Sequence, residues 1–357
     1  MKSFRINPDN GMVVGIFTLG EHVSDPLTGK IISEQQRISE IIATAKMADQ
    51  AGLDVFGLGE SHQAKFISSA NQVILGAIAQ ATKNIKITSS ATVLSTADPV
   101  RVYEEYATLD LISSGRAEIV AGRASRVGAF ELLGFNLRDY EELFEEKMEL
   151  LIQLNEEEKI NWSGQFRAPL NQAEIFPQPL NDKKLPIWRA VGGGPASAIK
   201  AARQGVPMML STLGGPAYAF SHAVKAYRQT LAVSGFDPLD FPIGTTSLMY
   251  ITENSQDALR EFYPYANHIM EELRGTGYAK SQFAESIDTK SAMLLGSPQQ
   301  LIEKILYQHE LYGHQRVLGQ VDIGGMPLSK IEKTIDLLAN IVAPAVKKAT
   351  KMEVNKK

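Results

Sequence analysis

Three consecutive glycines give the clearest indication of a ligand-binding site in this sequence. Gly192, Gly193 and Gly194 follow a predicted strand, and a helix is predicted to begin at Pro195. Glycines let the backbone approach a ligand closely, and a helix start offers unpaired N–H groups and a positive dipole end. Ser197 adds a hydroxyl in the first turn. The segment predicts an anion cradle suited to a phosphate, with a ligand-free strand–helix turn as the alternative.

A cation is predicted near the same place. Arg123 follows the predicted strand 117–122, on the side where barrel active sites lie. A planar guanidinium there can pair with phosphate oxygens in a bidentate way, and Arg126 is a weaker second candidate. The alternative is a surface arginine paired with a glutamate such as Glu131.

Acid–base chemistry is suggested after the second predicted strand, where Glu60, Ser61 and His62 are consecutive. Histidine changes charge near neutral pH and suits proton transfer. Glu60 and His62 are therefore candidate catalytic residues, and the alternative is that His62 only hydrogen-bonds within a barrel rim. In the third strand, small residues that include Ser90 and Ala91 leave room for a flat ring.

Other catalytic patterns are weak or absent from the sequence. His22 follows the first strand and could reach the same predicted site as Glu60 and His62. Four further histidines are predicted on helices or outer loops: His222, His268, His309 and His314. No His and carboxylate spacing predicts a metal site, and there is no nucleophile-elbow or Walker motif.

The elements that must position these residues alternate along the chain. Apolar, β-branched strands are predicted at 12–18, 55–59, 85–94, 117–122, 186–192, 206–211, 243–252 and 316–323. A segment of helical spacing follows each one, which favours parallel strands with helical crossovers. The predicted fold class is α/β, a single TIM-type (β/α)8 barrel spanning 1–357, with an open doubly wound sheet as the competitor.

Two stretches interrupt this alternation and are predicted to be insertions, at about 156–185 and 274–296. The first contains Trp162-Ser163-Gly164-Gln165-Phe166 and several prolines, which predict a hairpin and an extended loop that shields the pocket. The second is either a lid or an inert surface loop.

Composition limits the functional classes. The 357 residues are 44% hydrophobic and carry a net charge of -4 with no basic block, which disfavours a nucleic-acid partner. There is no cysteine, so this chain holds no disulfide, iron–sulfur cluster or thiolate nucleophile. A polar N-terminus and the lack of a membrane-length apolar run predict a cytoplasmic protein without membrane contact.

Taken in order, the motifs resemble the bacterial luciferase-like flavin monooxygenase family. The resemblance runs through Gly52–Glu60, through Ala91–Val102, through Leu109–Arg116 followed by Gly122-Arg123, and through Pro186–Pro207. It implies a (β/α)8 barrel that binds FMN, or less often a deazaflavin. It places the phosphate at Arg123, Gly193, Gly194 and Ser197, and the ring near the ends of the first three strands.

The resemblance carries further expectations. The family often has a non-proline cis peptide in the third strand, and Ser90–Ala91 is the matching position here. It is often dimeric, so a homo-oligomer is expected, and it acts on small molecules with NAD(P)H or externally reduced flavin. One departure is that Ser61 replaces the first of two adjacent histidines, so the luciferase proton-transfer role does not carry over.

Three functions remain open from the sequence. The leading hypothesis is an FMN-dependent monooxygenase acting on a small organic substrate with reduced flavin and dioxygen. The second is a non-catalytic flavin-binding or carrier protein, which the missing histidine motivates. The third is a non-redox TIM-barrel enzyme that binds a phosphate ester at the glycine turn.

Overall fold

The protein folds around one closed sheet of parallel strands. The structure is a computed structural model that describes residues 1–124, 126–182 and 184–351. Its strands are β1 Val13–Thr18, β2 Val55–Leu58, β3 Lys86–Ser89, β4 Thr92–Val93, β5 Ala117–Gly122, β6 Ile160–Trp162, β7 Leu170–Ala173, β8 Ile187–Val191, β9 Met208–Ser211, β10 Ile243–Ile251, β11 Leu294–Gly296 and β12 Arg316–Gln320.

Helices alternate with these strands and surround them. They are α1 Glu34–Gln50, α2 Asn71–Ala81, α3 Pro99–Ile112, α4 Gly128–Leu132, α5 Tyr140–Glu156, α6 Pro195–Arg203, α7 Ser221–Val233, α8 Ser255–Arg274, α9 Lys280–Ala284, α10 Pro298–Tyr312, α11 Leu328–Leu337 and α12 Ala343–Thr350. None of the described helices combines the length and apolar character needed to cross a bilayer.

The strand order confirms the predicted barrel. Within the described residues, β1, β2, β3 with β4, β5, β8, β9, β10 and β12 each pair in parallel with the next, and β12 pairs with β1. Parallel closure brings every strand's carboxyl end to one face, which is where barrel enzymes build their sites. The predicted residues after β2, β5 and β8 therefore share one edge.

Local signals explain where several helices begin. The Ser33 side chain accepts a hydrogen bond from the Gln36 N–H at the start of α1. Asp98 caps α3, with a proline at the first helical position. These caps satisfy N–H groups that a helix start leaves unpaired.

Three element predictions are corrected. The third predicted strand is divided into β3 and β4 around Ser90–Ala91. The last predicted helix is interrupted by a π-helical turn at Leu338–Val342. In the second insertion, Leu294–Gly296 forms β11 and pairs with the end of β10. These residues are buried, whereas the insertion as a whole is polar, so its composition did not indicate a strand.

A buried ion pair crosses the barrel interior. Arg316 of β12 donates two hydrogen bonds to Glu118 of β5, at 2.6 and 3.0 Å, and both side chains are fully buried. These strands stand four positions apart in the ring of eight, so the pair bridges opposite walls. The Trp188 ring centroid lies 4.4 Å from the Arg316 guanidinium carbon, and Lys86 Nζ lies 3.3 Å from Glu118.

The first residues of the chain close the amino-terminal end of the barrel. Ile6 is buried among inward-facing side chains that include Val55 and Trp188. Arg5 reaches outward and donates to the Asp110 carboxylate at 2.7 Å. With this end plugged and the ion pair filling the interior, the carboxyl end is the face available to a ligand.

The hairpin β6–β7 confirms the predicted fold of the first insertion. The N–H groups of Gln165 and Phe166 donate to Glu146 on α5, and Arg167 pairs with Asp98 at the start of α3. The hairpin therefore packs on α5 and against the start of α3, and shielding of the pocket by 156–185 stays a prediction.

Candidate active site

Very small side chains face inward at the carboxyl ends of four neighbouring strands. A Cβ atom built on Gly122 would lie 3.0 Å from the Cβ of Ala91 and 3.6 Å from that of Ala190. One built on Gly57 would lie 3.1 Å from the Cβ of Ser90. The peptide bond between Ser90 and Ala91 is cis, at the position that the family resemblance implied. We call these five residues, which have small side chains or none, the shelf; the sequence predicts that small residues at this place leave room for a flat ring.

Glu60 connects the shelf to His62. Its Oε1 lies 2.6 Å from Nε2 of His62, and its Oε2 accepts a hydrogen bond from the Val93 N–H at 2.8 Å. The Glu60 N–H donates to the Ala91 carbonyl at 3.1 Å. The side chains of Glu60 and His62 are 7% and 14% exposed, so the carboxylate holds the imidazole in one orientation beside the shelf.

The glycine turn after β8 opens toward space. No described atom lies within 4 Å of a Cβ built on Gly192 or Gly194, and Gly193 has a φ of +93° that favours glycine. Gly194 precedes α6 and provides no side-chain cap. The buried Oγ of Ser197 has no hydrogen-bond partner among the described residues.

Uncapped N–H groups, an unpartnered hydroxyl and open glycines together fit a phosphate. A buried polar atom without a partner is costly, and an anion at a helix N-terminus satisfies several donors at once. The site thus favours a phosphorylated cofactor over a neutral ligand.

Two cations stand beside this turn with one carboxylate between them. Arg123, just past β5, pairs with Glu141 on α5. The other oxygen of Glu141 accepts from Lys200 Nζ at 3.0 Å, and Lys200 lies on α6 three residues after Ser197. Because β5 and β8 are adjacent and parallel, the arginine and the glycine turn open at the same edge, as the sequence argument requires.

The sequence missed two members of this cluster. Residues three apart on a helix share a face, so the spacing of Ser197 and Lys200 was a signal that could have identified Lys200. Glu141 carried no comparable signal. The proposed alternative partner of Arg123, Glu131, is not the one observed, because the start of α5 places Glu141 closer.

Arg126 and the histidines occupy other positions. The Arg126 guanidinium carbon lies 4.4 Å from the Phe66 ring centroid, so it stacks on the loop after β2. His22 Nε2 lies 2.7 Å from the Ile32 carbonyl oxygen. His314 lies in a loop, between α10 and β12, as predicted, but the loop position is fully buried rather than outer, and burial lowers the His314 pKa to about 3.

The second insertion lies at the mouth beside the glycine turn. The Ala217 N–H donates to the Lys290 carbonyl at 2.8 Å, and the Ala292 N–H donates to the Gly215 carbonyl at 2.9 Å. Phe220, from the same loop after β9, would be 3.1 Å from a Cβ on Gly193. No cluster of three or more His, Asp or Glu among residues 1–124, 126–182 and 184–351 could hold a metal ion.

Comparison with known protein families identifies the family of this chain. The family model described as luciferase-like monooxygenase matches residues 12–315. The chain belongs to the luciferase-like monooxygenase family. This is an oxidoreductase family.

One relative within the luciferase-like family is the N-acetyl-S-alkylcysteine monooxygenase of Bacillus subtilis (strain 168). It is 27% identical over 190 residues, which cover 52% of this chain and 54% of that protein. The aligned region therefore spans about half the length of that relative.

Solved structures share the fold at low identity. Monooxygenase RslO1 from Streptomyces bottropensis has a TM-score of 0.82 and 24% identity over 93% of this chain and 99% of that one. The oxygenating constituent of 3,6-diketocamphane monooxygenase from Pseudomonas putida, in complex with FMN, has a TM-score of 0.75 and 16% identity over 94% and 98%. An F420-dependent secondary alcohol dehydrogenase has a TM-score of 0.72 and 16% identity over 94% of this chain and 99% of that one.

Proposed function

We propose that this luciferase-like protein is an FMN-dependent monooxygenase that oxygenates a small organic substrate with reduced flavin and dioxygen. The observation that carries the proposal is the uncapped start of α6, where the unpartnered Ser197 hydroxyl and the open glycines stand beside Arg123. The FMN complex of a structural relative favours FMN. The F420 relative makes a deazaflavin the alternative.

Each group has a defined task in this proposal. The N–H groups after Gly194, the Ser197 hydroxyl, Arg123 and Lys200 would hold the phosphate. The shelf, with Ser90 and Ala91, would support the ring. A bound reduced flavin supplies two electrons for dioxygen activation, while His62, oriented by Glu60, would hold or move a proton at the imidazole. The segment 275–296 would exclude water from the mouth.

A direct test is titration of the protein with FMN and, separately, with F420, followed by fluorescence. Binding of FMN alone supports the proposal, and binding of F420 alone favours the deazaflavin alternative. Binding of neither flavin, with tight binding of simple phosphate esters, would identify a non-redox enzyme at the same turn.

A flavin carrier is the second candidate function, and Ser61 favours it. This residue stands where the family often has a histidine, and its buried Oγ has no partner among the described residues. Oxygen uptake with FMN and NADH or NADPH, with and without an added flavin reductase, separates an enzyme from a carrier. Turnover above the free-flavin background rejects the carrier.

We expect Arg123→Gln to weaken FMN binding about 10- to 100-fold, because a charge-assisted hydrogen bond to phosphate is lost. Riboflavin, which lacks the phosphate, should bind both proteins equally. Arg101→Gln is the matched control, since Arg101 is exposed on α3 and pairs with Glu104. Equal losses for FMN and riboflavin would contradict a phosphate contact.

We expect Glu141→Gln to tighten FMN binding about fivefold, because a carboxylate no longer competes for Arg123, whereas Lys200 keeps its ion pair with Glu145 at 3.0 Å. The effect should shrink at high salt, which screens these partly exposed charges. Glu142→Gln, at the exposed neighbouring position, is the control. Weaker binding in Glu141→Gln would show that the carboxylate organises the cations rather than competing with the phosphate.

We also propose that 1–357 act as one barrel domain and that the protein works as a homodimer. The family resemblance supports both statements. Sedimentation equilibrium at micromolar concentrations tests the dimer, and a monomer over the whole range would exclude it.

A further inference from the structure

Glu21 is a buried carboxyl group that the proposed mechanism does not use. It lies in the loop after β1 and is 4% exposed. One carboxyl oxygen accepts a hydrogen bond from Gln320 Nε2 at 3.1 Å, and the other accepts from the Gly324 N–H at 2.7 Å. Both contacts are with the end of β12 and the loop that follows it.

The contact with Gln320 places the Glu21 carboxyl group at the barrel mouth. Successive side chains of a strand face opposite sides, so Gln320 faces the same side as Arg316, which crosses the interior to Glu118. Glu21 is thus bonded to an inward-facing side chain at the carboxyl end of the barrel. Arg126, from the loop after β5, acts on it with its positive charge.

A second carboxyl group lies on the other side of Glu21. Asp322 accepts hydrogen bonds from the Thr18 hydroxyl and the Arg37 guanidinium through one oxygen. Its other oxygen, Oδ1, is buried and has no partner among the described residues. Arg37 also donates to the Glu21 backbone carbonyl at 2.7 Å, so one side chain of α1 holds the Asp322 carboxylate and the backbone of Glu21.

These groups line a polar cavity of about 230 Å³ between the loops that follow β1 and β12. The volume accommodates water, and an unpartnered buried carboxylate oxygen binds water readily. The other titratable or charged side chains facing this cavity are His22, Asp25, Lys30 and Glu40. Glu21 therefore separates a polar cavity from the barrel mouth.

The acidity of Glu21 suits proton exchange. Burial raises its pKa to about 7, the Asp322 charge adds to this effect, and the Gly324 N–H opposes it. A carboxyl group in this range both gains and loses protons at neutral pH.

We propose that Glu21 transfers protons between this cavity and the barrel mouth, through the wall formed by β1 and β12. The inference rests on the proposed monooxygenase function. Insertion of one oxygen atom of dioxygen and release of the other as water takes up two electrons and two protons. A reduced flavin bound as its anion would supply both electrons and one proton, and Glu21 would supply the second proton. Glu21 would release its proton toward the Gln320 side and regain one from the cavity.

The test compares Glu21→Gln with Glu40→Gln, a control on the same cavity. Glutamine keeps the size of Glu21, and the Gln320 amide can turn to accept from it. Carbon-13 NMR of labelled carboxyl groups, without flavin, should show a group titrating near pH 7 in wild type and Glu40→Gln but not in Glu21→Gln. Its presence in Glu21→Gln would overturn the assignment of that proton to Glu21.

The second readout is the pH profile for oxidation of protein-bound reduced FMN by dioxygen. We expect Glu21→Gln to lose the inflection near pH 7 and to react about tenfold more slowly at neutral pH. Glu21→Asp, which keeps a carboxyl group but shortens it, should retain an inflection at a reduced rate, and it serves if Glu21→Gln does not fold.

The outcomes separate the two proposals. Normal FMN binding with an unchanged rate and pH profile in both Glu21 variants overturns the proton route alone. Absence of FMN binding in the wild type overturns the proposed function, and the proton route with it.

Discussion

Replacing Gly194 by valine should weaken FMN binding by at least about 100-fold while leaving the melting temperature almost unchanged. The open space at this position allows the side chain without a clash, and its φ of -87° and ψ of 147° suit valine. The new methyl groups would occupy the volume where a phosphate approaches the α6 N–H groups, and losing those contacts costs about 3 kcal/mol.

Gly76→Val is the matched control for this substitution. Gly76 lies on α2 and also has no described atom within 4 Å of a built Cβ. Both variants should remain folded by circular dichroism, and only Gly194→Val should lose FMN in a fluorescence titration. If a folded Gly194→Val protein bound FMN with wild-type affinity, the phosphate would not bind at this turn. The proposed flavin site would then lose its main support.

Replacing Arg316 by methionine should lower the free energy of unfolding by about 3–5 kcal/mol at pH 7. The change leaves Glu118 charged and fully buried, with Lys86 as the remaining neighbouring cation, and an unpaired buried charge is strongly destabilising. Urea unfolding followed by tryptophan fluorescence measures the loss, since Trp188 stacks on Arg316.

The double variant Glu118→Leu with Arg316→Met is the control for the ion pair. Removing both charges should recover much of the lost stability, since apolar replacements of buried pairs are often tolerated. A double variant no more stable than Arg316→Met would show that lost packing, rather than the unpaired charge, causes the decrease in the free energy of unfolding.

The pH dependence provides an independent check on the same pair. Burial alone would raise the pKa of Glu118, but the charges of Arg316 and Lys86 hold it at about 2, below its ordinary value of 4.5. A lowered pKa contributes stability that is present above pH 4.5 and lost as pH falls toward 2. Glu21 has the opposite sign, since its raised pKa gives stability below pH 4.5 that is lost as pH rises through 7.

Features determined by nearby residues could be predicted from the sequence. The alternation of β-branched runs with helical spacing indicated the barrel, because each strand and helix is specified by its own residues and parallel strands need helical crossovers. The three glycines before Pro195 indicated an open turn at a helix start for the same reason. The position of the cis peptide, Ser90–Ala91, came from the family resemblance.

Contacts between distant segments were decided only by the tertiary structure. Closure of the barrel sets which inward-facing residues oppose one another, so Glu118 meets Arg316 across 198 residues of chain. The same closure brings Glu141 between Arg123 and Lys200, and Glu21 against Gln320. Local periodicity tells which side of a strand a residue faces, but strand register and the packing of α5 determine what that residue touches.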